Sequence, residues 1–352
     1  MPCRDAARKP FRRRFCATIL RSSLACCLMS VYLFHGVTSV PTTSDTAQQL
    51  SPVANWEPSW AASAAHGTTL AINCWIPCQK EEVTVANDQT PRILATLIVL
   101  QSPSKGSTAV SFSNRAYDPT VSSLGGLELT SIRQCDDVTT STLTSSRWTF
   151  LGSTIVACMT GLASDVDHII RTLQQHVDRQ ILIYAERTSG MAKLLAIDLI
   201  PVISQILREA SQWQGGGRPL GVQTLLINGG GSSLHKGDPV LMTVDPGGGY
   251  RHWASGVTAI GRGAHAVRQR LYRHLHGQPM PNAHRALQVA LRASSEATAP
   301  QGMITTSTTS SLKPCHYQAL LVWSSQDDQL CVGEVDRGQI QKILDNLQSK
   351  EA

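Results

Sequence analysis

The ten cysteines are the first residues of this chain that could do chemistry. Cys3, Cys16, Cys26 and Cys27 crowd the start, and Cys74, Cys78, Cys135, Cys158, Cys315 and Cys331 are scattered over the rest. A zinc site needs paired C-x-x-C spacings or a pair completed by histidines. Cys74 and Cys78 have no such complement, so the spacing implies neither a metal site nor a disulfide scaffold. Reduced, mostly buried thiols are expected, with no cofactor. GGGSS at 229–233 is not a phosphate loop, because no GK[ST] follows it and no helix opens there. Asp245-Pro246-Gly247 offers a carboxylate, but all three residues are turn formers, and a tight reversal is expected.

Charge supplies another candidate. No Asp or Glu occurs between Asp245 and Glu296, while Arg251, Arg262, Arg268, Arg270, Arg273, Arg285 and Arg292 do. Such a span could bind nucleic acid. Aromatic residues within it are sparse (Tyr250, Trp253, Tyr272), and no nucleic-acid fold motif is present. A solvated helix face, or a face meeting an acidic neighbouring subunit, is the expected role.

The elements that must position these residues can be read from hydrophobic pattern. With 352 residues, 42% hydrophobic and 16% charged, the chain is neither collagen-like, coiled-coil nor wholly disordered. No apolar run of about 18 residues follows residue 50, so the body is not expected in a membrane. Residues 1–49 differ from the rest. Arg12, Arg13, Arg14 and Arg21 flank an apolar run, as in a secretory signal peptide or a disordered extension. Residues 91–146 are Ser/Thr-rich from Ser102 onward and read mostly as a long surface loop or insertion. Segments 67–74 and 83–88 alternate like a hairpin, and 153–161 is an apolar strand. Ser164 is expected to cap a helix carrying Val166, Ile169, Ile170, Leu173, Val177 and Ile181. A second helix spans about Gly190 to Trp213, with Pro201 inside it. Strands at 222–228, 239–245 and up to 261 precede helices around Ala264–His274 and Ala283–Ala293. Strands at 317–323 and 330–335 and an amphipathic helix through Ile340, Ile343, Leu344 and Leu347 end the chain. Strand runs alternating with helix pairs predict α+β: two packed sheets with helices on both outer faces.

Four stretches carry a resemblance to one family. RPLGVQTLLING (218–229) resembles an R-P-F-G-V run entering a strand, and DPGGGYRHWASGVTAIG (245–261) a D-P-S-G-x-Y…A-x-x-I-G segment. RWTFLGSTIVACMTGLASD (147–165) resembles a K-I-…-G-L-x-A-D strand-to-helix segment. LSPVANWEPSWAASAAHGTT (50–69) resembles an N-terminal helix, F-S-P-x-G-x-L-x-Q-V-E-Y-A-x-x-A…G-S/T. The family is the proteasome core particle, and the chain resembles its α-type subunits over roughly 50–90 and 147–348. The resemblance implies an Ntn-hydrolase-like four-layer α-β-β-α sandwich. It also implies a non-catalytic place in an outer seven-membered ring that serves ubiquitin-dependent protein breakdown. The partners would be other α-type subunits, the β-type ring and regulatory particles or activators, in the cytoplasm and nucleus. Residues 50–352 would be one domain. The N-terminal helix departs from the pattern: Leu50, Ala54 and Pro58 stand at positions of Phe, Gly and helix interior, which puts a gating role in doubt.

The resemblance also raises a catalytic alternative. Catalytic members expose a threonine whose hydroxyl attacks and whose own amine is the base. Cleavage after Gly67 in HGTT would free Thr68, and Asp88 could orient it. The lysine of the K-I motif, however, is Arg147, which is larger, planar and always protonated. In α-type subunits that lysine lies in pockets that receive partners' C-terminal carboxylates. Arg147 is therefore also the candidate partner-binding residue, alongside an ordinary structural role.

Overall fold

The computed structural model describes residues 67–77, 92–102, 123–134, 147–188, 195–212, 218–229, 239–298, 316–325 and 330–351, all within the unit Leu50–Ala352. The extension 1–49, the helix expected over 50–66, the strand expected at 83–88 with Asp88, and the turn at 230–238 lie outside the described residues.

The elements begin with β1 (Thr68–Pro77), β2 (Arg92–Ser102), β3 (Ser123–Leu124), β4 (Leu127–Gln134), β5 (Trp148–Leu151) and β6 (Ile155–Gly161). Helices α1 (Ala163–Thr188) and α2 (Ala196–Gln212) follow, then β7 (Val222–Asn228), β8 (Val240–Val244), β9 (Tyr250–His252) and β10 (Val257–Gly261). The chain ends with α3 (Ala264–Leu275), α4 (Ala283–Thr298), β11 (His316–Ser324), β12 (Leu330–Val335) and α5 (Arg337–Glu351). Two sheets form. One has the order β10-β1-β2-β11-β12-β4-β3 and the other β5-β6-β7-β8-β9. Every named pairing in them is antiparallel.

Period-two alternation divides the strand side chains between three apolar clusters. In β1, Leu70, Ile72, Cys74 and Ile76 join Val267, Leu271, Leu287 and Ala290 of α3 and α4 and Ile340 of α5. In the smaller sheet, Met159, Val222, Leu226 and Met242 join Ile169, Leu173, Leu199 and Ile203 of α1 and α2. The alternate residues of both sheets form a third cluster, which holds Ala71, Ile98, Leu100 and Leu320 with Val156, Leu225, Ile227 and Leu241. The protein is thus α+β. Each fully buried Leu or Ile contributes about 1.5–3 kcal/mol of hydrophobic stabilisation.

The stretch read as a surface insertion from residue 91 needs correction in part. It supplies β2, which pairs with β1 from Thr68–Gln101 to Pro77–Arg92, and the β3–β4 hairpin. The physical reason is burial on both faces. Ala95, Leu97 and Val99 enter one cluster and Ile98 and Leu100 another, so β2 shows a continuous apolar run instead of alternation. The start of α1 also differs from expectation. The helix begins at Ala163, one residue before Ser164, and the Leu162 carbonyl accepts from the Asp165 and Val166 amides at 3.0 and 2.9 Å.

The carboxylate of Asp165 does the tying there. It accepts from Arg218 Nη1 at 2.7 Å, Arg218 Nη2 at 2.6 Å and the Gly221 amide at 3.0 Å. This joins the first turn of α1, where a negative charge is favoured, to the segment entering β7. Burial opposes the carboxylate's charge, but Arg218 and the Gly221 amide outweigh it and hold Asp165 below its ordinary range. A depressed carboxylate contributes stability above its unfolded pKa of about 3.9, and that stability is lost as pH falls through the folded value. Asp165→Asn should therefore cost about 1–2 kcal/mol at neutral pH, a figure discounted because the Arg218 side is solvent-screened. The wild-type advantage should shrink on acidification below about pH 4. Urea unfolding of both proteins across pH tests this, and a gap that does not change with pH would count against it.

Candidate functional site

Two of the three residues suggested by the sequence, Thr68 and Arg147, meet where β1 begins. Gly67 precedes β1, and its carbonyl accepts from the Arg262 amide at 3.0 Å. The Thr68 hydroxyl donates in a short hydrogen bond to the Arg262 carbonyl, just past the end of β10. Gly261 makes this approach possible. Its φ is +88°, and a Cβ there would lie 2.2 Å from the Gly67 carbonyl oxygen. The Gly261 amide donates to Gln223 Oε1 of β7 at 2.7 Å, which links the two sheets.

Arg147 reaches the same place from the residue before β5. Nη1 donates to the Gln101 carbonyl at 3.1 Å, and Nη2 to the Thr68 carbonyl and the Thr69 hydroxyl, both at 3.2 Å. The side chain of Gln101 accepts in turn from the Ser294 hydroxyl of α4 at 2.7 Å. Arg147 is 8% exposed, and Nε is buried with no partner among the described residues. Burial pushes the guanidinium down to about 10, with adjacent Cys158 acting in the opposite direction. It therefore remains protonated at neutral pH and is no proton acceptor.

Thr68 and Arg147 are brought together, whereas Asp88 lies outside the described residues. Thr68 is 4% exposed. Nucleophilic catalysis by Thr68 would need a free amine and therefore a cut between Gly67 and Thr68. Arg147 grips the carbonyl of Thr68 and not its hydroxyl. Nothing in the hydrophobic pattern or the motifs pointed to Gln101, Gln223, Arg262 or Ser294 in this cluster. The available signal was a polar residue at the end of an apolar strand, as in β2 and at the start of β7.

The remaining chemistry-bearing groups lie elsewhere. Cys74, Cys158 and Cys331 are free and buried, and burial pushes their thiols up to about 12, 12 and 11. No group of three or more His, Cys, Asp or Glu among the described residues could hold a metal ion. No described helix is long and apolar enough to cross a membrane. Asp245-Pro246-Gly247 forms the expected reversal, with the Gly248 amide on the Asp245 carbonyl and the Asp245 amide on the Gly249 carbonyl, both at 2.8 Å. Beyond it, the guanidiniums of Arg251 and Arg268 each lie 5.1 Å from the centroid of the Trp253 ring. A shallow groove of about 460 Å³ runs along α2, lined by Ile197, Pro201, Arg208 and Tyr250 among others.

An α+β chain with two antiparallel sheets and a buried threonine–cation contact where the first strand begins is the class defined so far. Residues 135–305, just under half of the chain, match the family model described as Proteasome subunit. This supports a component of the proteasome core with the Ntn-hydrolase-like fold that the family carries. The match includes Arg147, Asp165, Arg218 and α3 but not Thr68. The family contains both catalytic and non-catalytic subunits. No curated protein matches the chain.

Proposed function

We propose that the chain is a non-catalytic, α-type subunit of the proteasome core particle, placed in the outer heptameric ring and serving ubiquitin-dependent protein breakdown. The observation that carries this reading is the state of Thr68. It is buried at the start of β1, with its hydroxyl donated to the Arg262 carbonyl and its own carbonyl held by Arg147. Arginine at the position of the motif's lysine keeps its proton and fills the space with a planar fork. In this reading Arg147 is a structural clamp and not a receptor for a partner's C-terminal carboxylate.

The three apolar clusters support a four-layer α-β-β-α sandwich, with α1 and α2 on one outer face and α3, α4 and α5 on the other. The partners are other α-type subunits, the β-type ring and regulatory particles or activators, in the cytoplasm and nucleus. Affinity purification of the tagged full chain from its native cells should return other ring subunits in a large assembly. Recovery only as a free monomer would remove the proposal.

A further inference from the structure

Four arginines of the acid-free span, Arg270, Arg273, Arg285 and Arg292, lie on α3 and α4. Ala264, Val267 and Leu271 of α3 and Ala283, Ala286, Leu287 and Ala290 of α4 point into the core. Arg273 and Arg285 are exposed on the opposite side, and Arg292 is half-exposed there at 52%. Among the described residues, one carboxylate pairs with both Arg270 and Arg292. Glu296 accepts from Arg270 Nη1 and Arg292 Nε, both at 2.9 Å, with His274 Nε2 3.5 Å away. Burial opposes the charge of Glu296, but the two arginines outweigh it and hold its carboxyl below the usual range. One negative charge thus fixes two guanidiniums in place, and among the described residues neither Arg273 nor Arg285 has a side-chain partner.

We infer that this outer face of α3 and α4 is an interaction surface for a carboxylate-rich surface of another protein chain. The chemistry favours carboxylates over nucleic acid. Planar guanidinium forks match carboxylates bidentately. Stacking of bases needs free aromatic faces, and this face offers one exposed ring, Tyr272, which already lies 4.9 Å from the His276 ring. Trp253 already has the guanidiniums of Arg251 and Arg268 over its ring. The inference goes beyond the ring-subunit reading and stands without it.

The test is a titration of the purified full-length protein with poly-L-glutamate and, separately, with a mixed-sequence single-stranded DNA. The face predicts that poly-L-glutamate binds and that its affinity falls as salt is raised. The Arg273→Glu/Arg285→Glu variant should bind it about tenfold or more weakly. Both positions are exposed, so circular dichroism should show an unchanged fold. Absent poly-L-glutamate binding at low salt would overturn the inference, as would equal binding by the variant. Tighter binding of the DNA that depends on the same two arginines would overturn it in favour of a nucleic-acid partner.

Discussion

Replacing Arg147 with methionine is expected to destabilise the protein by about 2–4 kcal/mol, read as a lower urea midpoint. Methionine keeps much of the volume but none of the donors. The carbonyls of Gln101 and Thr68 and the hydroxyl of Thr69 would each lose the bond that Arg147 supplies. An unsatisfied buried polar group costs about 1–3 kcal/mol. The sum is reduced because burial opposes the guanidinium's own charge, as its lowered pKa shows. Arg147→Lys should fall between the two. A single ammonium keeps the charge but cannot span Gln101 of β2 and Thr68 of β1 as a fork does. If both variants unfold within about 0.5 kcal/mol of the wild type, the clamp contributes nothing.

The second large effect is expected at Gly261. A side chain there faces a φ of +88° and a Cβ position 2.2 Å from the Gly67 carbonyl oxygen, which is backbone and cannot swing aside. Relief requires β1 and β10 to separate at Thr68–Gly261, the first pair of their ladder, and so to weaken the contacts of Gly67 and Thr68 with Arg262. Gly261→Ala should cost about 2–4 kcal/mol. Gly249 provides the control, since a Cβ there meets nothing within 4 Å. Gly249→Ala should change stability by less than about 0.5 kcal/mol. Equal effects at the two glycines would mean that the close approach at β1 does not constrain the fold.

Much of the α+β frame was legible in the pattern of the chain. The strand at 222–228 and the helices at 264–274 and 283–293 appear where apolar spacing put them, with α4 extended to Thr298. β2 was not legible, because a strand buried on both faces shows no alternation and lies beside a Ser/Thr-rich stretch. The tie between Asp165 and Arg218 was also hidden. Arg218-Pro219 reads as a connection, and nothing local tells that its guanidinium reaches back 53 positions. The charge pattern was misleading in a different way. The span without acids ends one residue before Glu296, and that residue pairs with two of its arginines. At the candidate site, the meeting of Thr68 with Arg147 came from the family resemblance, since 79 positions separate them. Gln101, Gln223 and Ser294 could not be anticipated, because their roles depend on which strand ends converge.

The bond between Gly67 and Thr68 separates a catalytic from a non-catalytic subunit. Catalysis by an N-terminal threonine requires that bond to be cut, whereas a non-catalytic subunit would keep it. The decisive measurement is N-terminal sequencing, with peptide mass mapping, of the chain recovered in assembly from its native cells. Peptides that run unbroken through His66-Gly67-Thr68-Thr69 are expected. A mature chain that begins at Thr68 would contradict the non-catalytic reading.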